Sequence, residues 1–150
     1  MTEKQNLNQE KQFPPLQDFL CFAVYTANLA FGKAYKPYFN QLGLTYTQWI
    51  VLLALSEGEN QTVNQLGQKV FLASNTLTPL LKGLEQQGLI LRQRSKTDER
   101  QVVLNLTEQG QQKCQQSLIC MNIIEKFGLS LEEIKVLQKA MCKLRDSLLQ

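Results

Sequence analysis

The chemistry open to this chain is bounded first by what it lacks. It holds no histidine and four cysteines, at positions 21, 114, 120 and 142, with no Cys-x-x-Cys pair. The commonest metal ligand and the usual general base at neutral pH are therefore missing. The cysteine spacing also argues against a structural zinc site. Thiols and cations remain. A thiol is a nucleophile only as the thiolate, and Cys21 sits in the apolar run Phe19-Leu20-Cys21-Phe22-Ala23-Val24-Tyr25, where a free cysteine is ordinarily an inert small hydrophobe. The cations cluster elsewhere: Arg92, Arg94, Lys96 and Arg100 fall in one short stretch.

The elements that position those cations lie in residues 62–107. Thr62 and Gln65 read as a capping box opening a short helix with Val63, Leu66 and Val70 on one face. Ser74 reads as the N-cap of a longer helix, Asn75 to Gln87, with Leu77, Leu80, Leu81 and Leu84 as its apolar stripe and Gly88 just past its end. Pro79 falls in its opening turns, where a lost amide hydrogen costs least. A hairpin follows: Leu89-Ile90-Leu91 runs out through the basic residues, Thr97-Asp98-Glu99-Arg100 turns, and Val102-Val103-Leu104-Asn105-Leu106 returns. Two helices and a basic hairpin in this order predict a winged helix-turn-helix. Off the leucine stripe, Ser74, Asn75, Thr76 and Thr78 offer short donors and acceptors to base edges, and Lys82 suits phosphate. The hairpin cations would reach the DNA backbone or the minor groove. Either element alone would read as an ordinary solvated surface; the ordered pair is what points to double-stranded DNA.

The rest of the chain frames that unit. With 150 residues, 43% hydrophobic and 19% charged, it is long enough for one domain with a core and too apolar for disorder. A net charge of +3 and a pI of about 8.7 are too mild to establish nucleic-acid binding, so the case rests on where the cations sit. Residues 1–12 are polar and expected to be loosely ordered. They show no signal-peptide character, and no apolar run reaches membrane length. A cytoplasmic protein with reduced thiols is expected. A first helix is predicted from Leu16 to Phe39, bent or ended near Pro37. A second, Thr47 to Leu55, is capped by Thr45 and Gln48, and its Trp49-Ile50-Val51-Leu52-Leu53 run is apolar nearly all round, hence core. A fifth helix is predicted from Thr107 to Phe127, stopped by Gly128, and a last from Leu131 to Leu149 behind a Ser130/Glu133 capping box. The apolar surface of that last helix exceeds what a peripheral tail needs, which favours packing of the first and last helices across a two-fold axis. A dimer would set two reading helices about 34–36 Å apart, one DNA turn, on a pseudo-palindromic operator.

Asp98-Glu99-Arg100-Gln101-Val102, then Leu104-Asn105-Leu106-Thr107 and Gly110, resembles the wing signature of the MarR family of bacterial repressors. Leu77-Thr78-Pro79-Leu80-Leu81-Lys82, then Leu84-Glu85-Gln86-Gln87-Gly88-Leu89-Ile90, resembles the recognition helix of the same family. The likeness covers about residues 18–110 and, more weakly, the C-terminus. It implies a mainly α fold with a small β-hairpin wing, a winged helix-turn-helix lobe over 45–107, and a dimer built from N- and C-terminal helices, 13–44 and 108–150, within a single chain of 1–150. It also implies that Asp98 and Arg100 brace the wing and present it to DNA.

A narrower resemblance bears on the thiol. Leu20-Cys21-Phe22, Tyr35-Lys36-Pro37 and Leu44-Thr45-Tyr46-Thr47-Gln48 are similar to the organic hydroperoxide resistance repressors, a MarR subgroup. This implies that Cys21 is a peroxide sensor, that Tyr35 and Tyr46 hydrogen-bond to it from the partner subunit, and that Tyr25 belongs to the same pattern. Phenolic hydroxyls aimed at a thiolate would stabilise its charge, and oxidation to the sulfenic acid would remove it, loosening the site and releasing DNA. Some members of the subgroup close a disulfide with a second cysteine of the other subunit, and others take a small thiol. Cys120 ranks first here as resolving thiol, although the expected place falls nearer Glu125; Cys114 and Cys142 read as ordinary helix residues. No cofactor is expected and the chain is not read as an enzyme. Three alternatives stand beside this reading: a MarR-type repressor answering to a small aromatic ligand with Cys21 structural, a thiol peroxidase, and a protein-interaction module. The last two leave the basic wing without a use.

Overall fold

Side-chain caps fix where three helices begin. Thr45 accepts from the amide of Gln48 while the Gln48 carboxamide accepts from the amide of Thr45; Thr62 and Gln65 repeat the exchange, and so do Ser130 and Glu133. Each box satisfies two amides that a helix start otherwise leaves open. The computed structural model describes residues 13–150; residues 1–12, expected to be loosely ordered, lie outside the described residues. The elements are a 3-10 turn (Leu16–Asp18), α1 (Leu20–Leu42), α2 (Tyr46–Ser56), β1 (Gln61–Thr62), α3 (Val63–Val70), α4 (Ser74–Gln86), β2 (Ile90–Arg94), β3 (Val102–Leu106), α5 (Glu108–Gln116), a 3-10 helix (Ser117–Lys126) and α6 (Leu131–Leu148). The mainly α fold with a small β-hairpin is thus as expected.

The chain divides into two compact units, one ending at Ala34 and one running Tyr35–Gln150. The first holds the 3-10 turn and the opening turns of α1. The second holds the core. α2 supplies Trp49, Val51, Leu52, Ala54 and Leu55 to it. α4 adds Leu77, Leu81 and Leu84, each fully buried, and Leu66 of α3 faces them. The sheet has the order β1-β3-β2, all antiparallel, with Ile90 opposite Leu106 and Arg94 opposite Val102. Ile90 and Leu104 share one face of the sheet and are fully buried.

Four details depart from the sequence-based expectation. α1 runs through Pro37 to Leu42 rather than stopping near it, because Phe39 and Leu42 are buried beyond the proline and packing of an apolar face outweighs one lost hydrogen bond. Ser74 is the first residue of α4, not its N-cap; Ala73 holds that position and offers no side-chain cap. β1 was not anticipated, since two residues carry no readable alternation; Asn60 and Asn105 fix it by exchanging bonds of 2.7 and 3.0 Å. The predicted fifth helix is broken: α5 gives way at Ser117 to the 3-10 helix. There the Ser117 hydroxyl donates to Cys114 O at 2.6 Å, a local bond that competes with the α-helical ladder.

Candidate nucleic-acid interface and sensor site

α4 is held by its leucine stripe, so its opposite face is turned outward. Ser74, Asn75, Thr76, Thr78 and Lys82 are all exposed. Thr78 Oγ1 donates to Ser74 O at 2.7 Å, which commits its proton and leaves its oxygen as an acceptor. Pro79 stands sixth in the helix, so the carbonyl deprived of its amide partner is that of Asn75, an exposed residue. At the far end Gly88 takes a left-handed conformation (φ 71°). Leu89 N donates back to Leu84 O at 3.0 Å, turning the chain into the wing.

The wing tip is organised by two side chains, Ser95 and Asp98. Ser95 Oγ accepts from the amides of Thr97 and Asp98. The Asp98 carboxylate accepts from the Arg100 amide and from Gln101 Nε2, both at 3.1 Å. Asp98 therefore bonds the Arg100 backbone, and the guanidinium takes no part in that brace. Arg92 leans toward Glu85 of α4 at 3.9 Å, half-buried. Among the described residues, Arg94, Lys96 and Arg100 enter no ion pair, so their charges are available to a polyanion. At the wing base Thr107 Oγ1 donates to Gly88 O at 2.7 Å and accepts from the Gly110 amide. That bond ties the end of β3 to the start of α5.

The tyrosines assemble a second site. Tyr35 and Phe39 are a turn apart on α1, and Tyr46 and Trp49 are a turn apart on α2. The four rings pack with centroids 5.3–5.8 Å apart. Tyr35 and Tyr46 meet edge to face at 5.5 Å. Burial pushes the Tyr35 phenol above its ordinary range, with Tyr46 and Cys120 nearby adding to it; burial also raises Tyr46. Both phenols thus stay protonated at neutral pH and can donate. Trp49 is buried, and among the described residues its Nε1–H has no hydrogen-bond partner. Cys21 and Tyr25 lie one turn apart on the first unit's part of α1, both exposed.

The remaining thiols are less open. Cys120 is fully buried and its thiol is raised by that burial. Cys114 is half-buried, likewise raised, with Sγ 3.6 Å from Leu52 O. It lines a cleft of about 700 Å³ beside Leu53, Asn60, Asn105 and Leu118. Cys142 is half-buried on α6.

Comparison with known proteins decides the family. The model of the family described as transcriptional regulator SarA/Rot matches residues 33–117. The organic hydroperoxide resistance transcriptional regulator of Bacillus subtilis is 41% identical over 138 residues, covering 90% of this chain and 92% of that protein. The chain belongs to the MarR family of transcriptional regulators, in its organic hydroperoxide resistance subgroup. It is a DNA-binding regulator with the winged helix-turn-helix expected from sequence. A second relative, SarZ of Staphylococcus epidermidis, is 40% identical over 115 residues, covering 76% of this chain and 78% of its own. Among solved structures, reduced AbfR bound to DNA superposes with a TM-score of 0.71 at 36% identity, over 87% of this chain and 92% of that one; AbfR comes from Staphylococcus epidermidis.

Within this MarR-family chain, sequence reasoning named the tyrosines and missed their neighbours. Phe39 was unremarked and Trp49 was read only as core. The available signal was spacing: Tyr35 to Phe39 and Tyr46 to Trp49 each span one helical turn, placing both pairs on single faces.

Proposed function

We propose that the protein is a homodimeric, cytoplasmic repressor that binds a pseudo-palindromic operator and releases it when Cys21 is oxidised by an organic hydroperoxide. The reading-helix and wing residues, Ser74 to Lys82 and Arg92 to Arg100, carry the DNA contact, and residues 13–44 and 108–150 carry the dimer. The observation that supports the sensor most is the meeting of Tyr35 and Tyr46 at 5.5 Å. Buried Tyr35 and exposed Tyr46 bring two protonated phenols into one ring cluster, and the subgroup resemblance makes the acceptor of their hydroxyls the partner subunit's Cys21. The same resemblance adds Tyr25 to the sensor pattern. The similarity to AbfR, solved in the reduced state on DNA, adds weight. The exposed apolar side chains of the terminal helices, Leu16, Leu20, Leu131, Val136, Leu137 and Leu148, supply the surface a dimer would cover.

The chemistry is a two-electron transfer. The Cys21 thiolate attacks an oxygen of the hydroperoxide; the S–O bond forms, the O–O bond breaks, and the leaving alkoxide takes a proton to become an alcohol. The sulfenic acid no longer carries the thiolate charge that held the phenols, and the interface relaxes. A second thiol can then condense with it, losing water. The complete burial of Cys120 weighs toward a small thiol for that step, since Cys120 would need the 3-10 helix to open. AbfR has also been solved overoxidised and bound to DNA.

The test is DNA binding by fluorescence anisotropy on the protein's own upstream region. Reduced protein is compared with protein given stoichiometric cumene hydroperoxide, for wild type, Cys21→Ser and Cys120→Ser. Loss of binding in wild type and Cys120→Ser, with retention in Cys21→Ser, is expected. Equal binding in every sample would sink the peroxide reading. The second reading, a regulator answering to a small aromatic ligand, gains one specific observation. The cleft beside Cys114, at about 700 Å³, is of a size that takes such molecules.

A further inference from the structure

We propose that the indole N–H of Trp49 is a third hydrogen-bond donor to the partner subunit's Cys21 thiolate, beside the hydroxyls of Tyr35 and Tyr46. This rests on the reading of Cys21 as the sensor. A buried donor without an acceptor is rare in folded proteins, because its lost hydration goes uncompensated. Among the described residues Trp49 Nε1 is such a donor, in a residue only 8% exposed. It is not lost in a featureless core. It sits in the ring cluster with Tyr35 at 5.7 Å and Tyr46 at 5.8 Å, the two phenols of the sensor reading. An indole nitrogen donates and never accepts, so its mate must be an acceptor, and a thiolate is one that also carries charge. Within one protomer the N–H is covered. Tyr46, 43% exposed, is the outermost of the two sensor phenols. Tyr46 stands beside the indole in the ring cluster, and the N–H becomes available to the acceptor through the side-chain rotation that docking commonly brings. The N–H does not move a proton; it holds the sulfur in its reactive, charged form and orients it.

Trp49 is the one tryptophan of the chain, so the emission of the protein reports on this site alone. The other ionisable groups of the cluster are Tyr35, Tyr46 and Cys120, all raised by burial, and they titrate above the range of an activated thiol. The experiment follows tryptophan emission of the reduced dimer from about pH 5 to about pH 9, beside the pH profile of Cys21 alkylation. Wild type should show an emission change with the same midpoint as alkylation, absent in Cys21→Ser and kept in Cys120→Ser. Trp49→Phe should raise the alkylation midpoint by about one pH unit, a roughly tenfold loss of thiolate near neutrality. Flat emission through the Cys21 titration in wild type overturns the proposal, and so does an unshifted midpoint in a folded Trp49→Phe. The wild-type arm stands even if that variant misfolds. Should Cys21→Ser keep full hydroperoxide-driven DNA release, the sensor reading falls, and this inference with it. Release lost in Cys21→Ser together with flat wild-type emission overturns only the role of Trp49.

Discussion

Gly110→Ala is the most severe small substitution the fold offers. A Cβ at this position would lie 2.0 Å from Leu89 O, 3.0 Å from Leu89 C and 3.3 Å from Leu106 Cδ2. The closest atom is backbone, and it cannot swing aside. Leu89 is pinned from two directions: its amide donates to Leu84 O at 3.0 Å and its carbonyl accepts from Thr107 N at 3.1 Å. To relieve the clash, α5 and the start of β2 must separate by about 1 Å. Overpacking of this kind costs about 1–3 kcal/mol, and weakening the Thr107–Leu89 bond adds about 1 kcal/mol. The better helix propensity of alanine returns about 1 kcal/mol. A net loss of about 2–3 kcal/mol is expected, toward the upper end because both surfaces are main chain. With a urea m-value of about 2–3 kcal/mol/M, the midpoint should fall by about 1 M. Gly83→Ala is the matched control. It too lies within a helix, and its added Cβ would meet Gln48 Nε2 at 3.8 Å, an ordinary contact; it should be neutral or stabilising by up to about 1 kcal/mol. Equal midpoints for the two variants would refute the seating of α5 on Leu89. Because the same junction sets the wing on its base, Gly110→Ala should also weaken operator binding at temperatures where the protein is still folded.

Three further outcomes are expected. Arg94→Ala with Lys96→Ala should weaken binding similarly on all sequences and lower the slope of log affinity against log salt by about 1 per lost phosphate contact; anisotropy titrations at several salt concentrations measure this, and an unchanged slope would remove the wing from the interface. Hydrogen bonds from the backbone and side chain of Ser130 hold the Glu133 carboxyl below the usual carboxylate range. Its stabilising effect is thus present above the unfolded carboxyl pKa and is lost as pH falls through the lower folded value. Acid should loosen the start of α6 in wild type, whereas Ser130→Ala should show less of this pH dependence by circular dichroism, and identical acid profiles would contradict the cap. Mass-spectrometric alkylation should label Cys21 well ahead of Cys114 and Cys120 in the folded protein and all four thiols alike in urea; Cys120 reacting first would contradict its burial.

The helix starts were legible because a capping box is a local exchange between residues three apart, and Thr45, Thr62 and Ser130 each form one. The leucine stripe of α4 was legible for the same reason, as periodicity. Ser74 misled by one position because Ala73, with no capping side chain, holds the N-cap while the leucine packing sets the helix. β1 depends on a remote exchange, Asn60 with Asn105, which no window of sequence reveals; the 3-10 helix depends on a local serine bond, Ser117 to Cys114, that competes with the α-helical ladder and was not weighed against the apolar run that follows it. At the sensor, residue types and the family resemblance named Cys21, Tyr35 and Tyr46. The unpartnered nitrogen of Trp49 became visible only once the rings were placed in space.

α6 carries a further consequence. It is an 18-residue helix with no buried residue, and Leu131, Val136, Leu137 and Leu148 stand more than half exposed. A helix that buries none of its residues among the described residues gains support from whatever binds its apolar side, and a binding event of that sort obeys mass action. With a second copy in that place, the melting temperature would climb with the logarithm of protein concentration. Dilution would then act as an inducer in its own right: a cell holding few copies would lose its grip on the operator with no oxidant present.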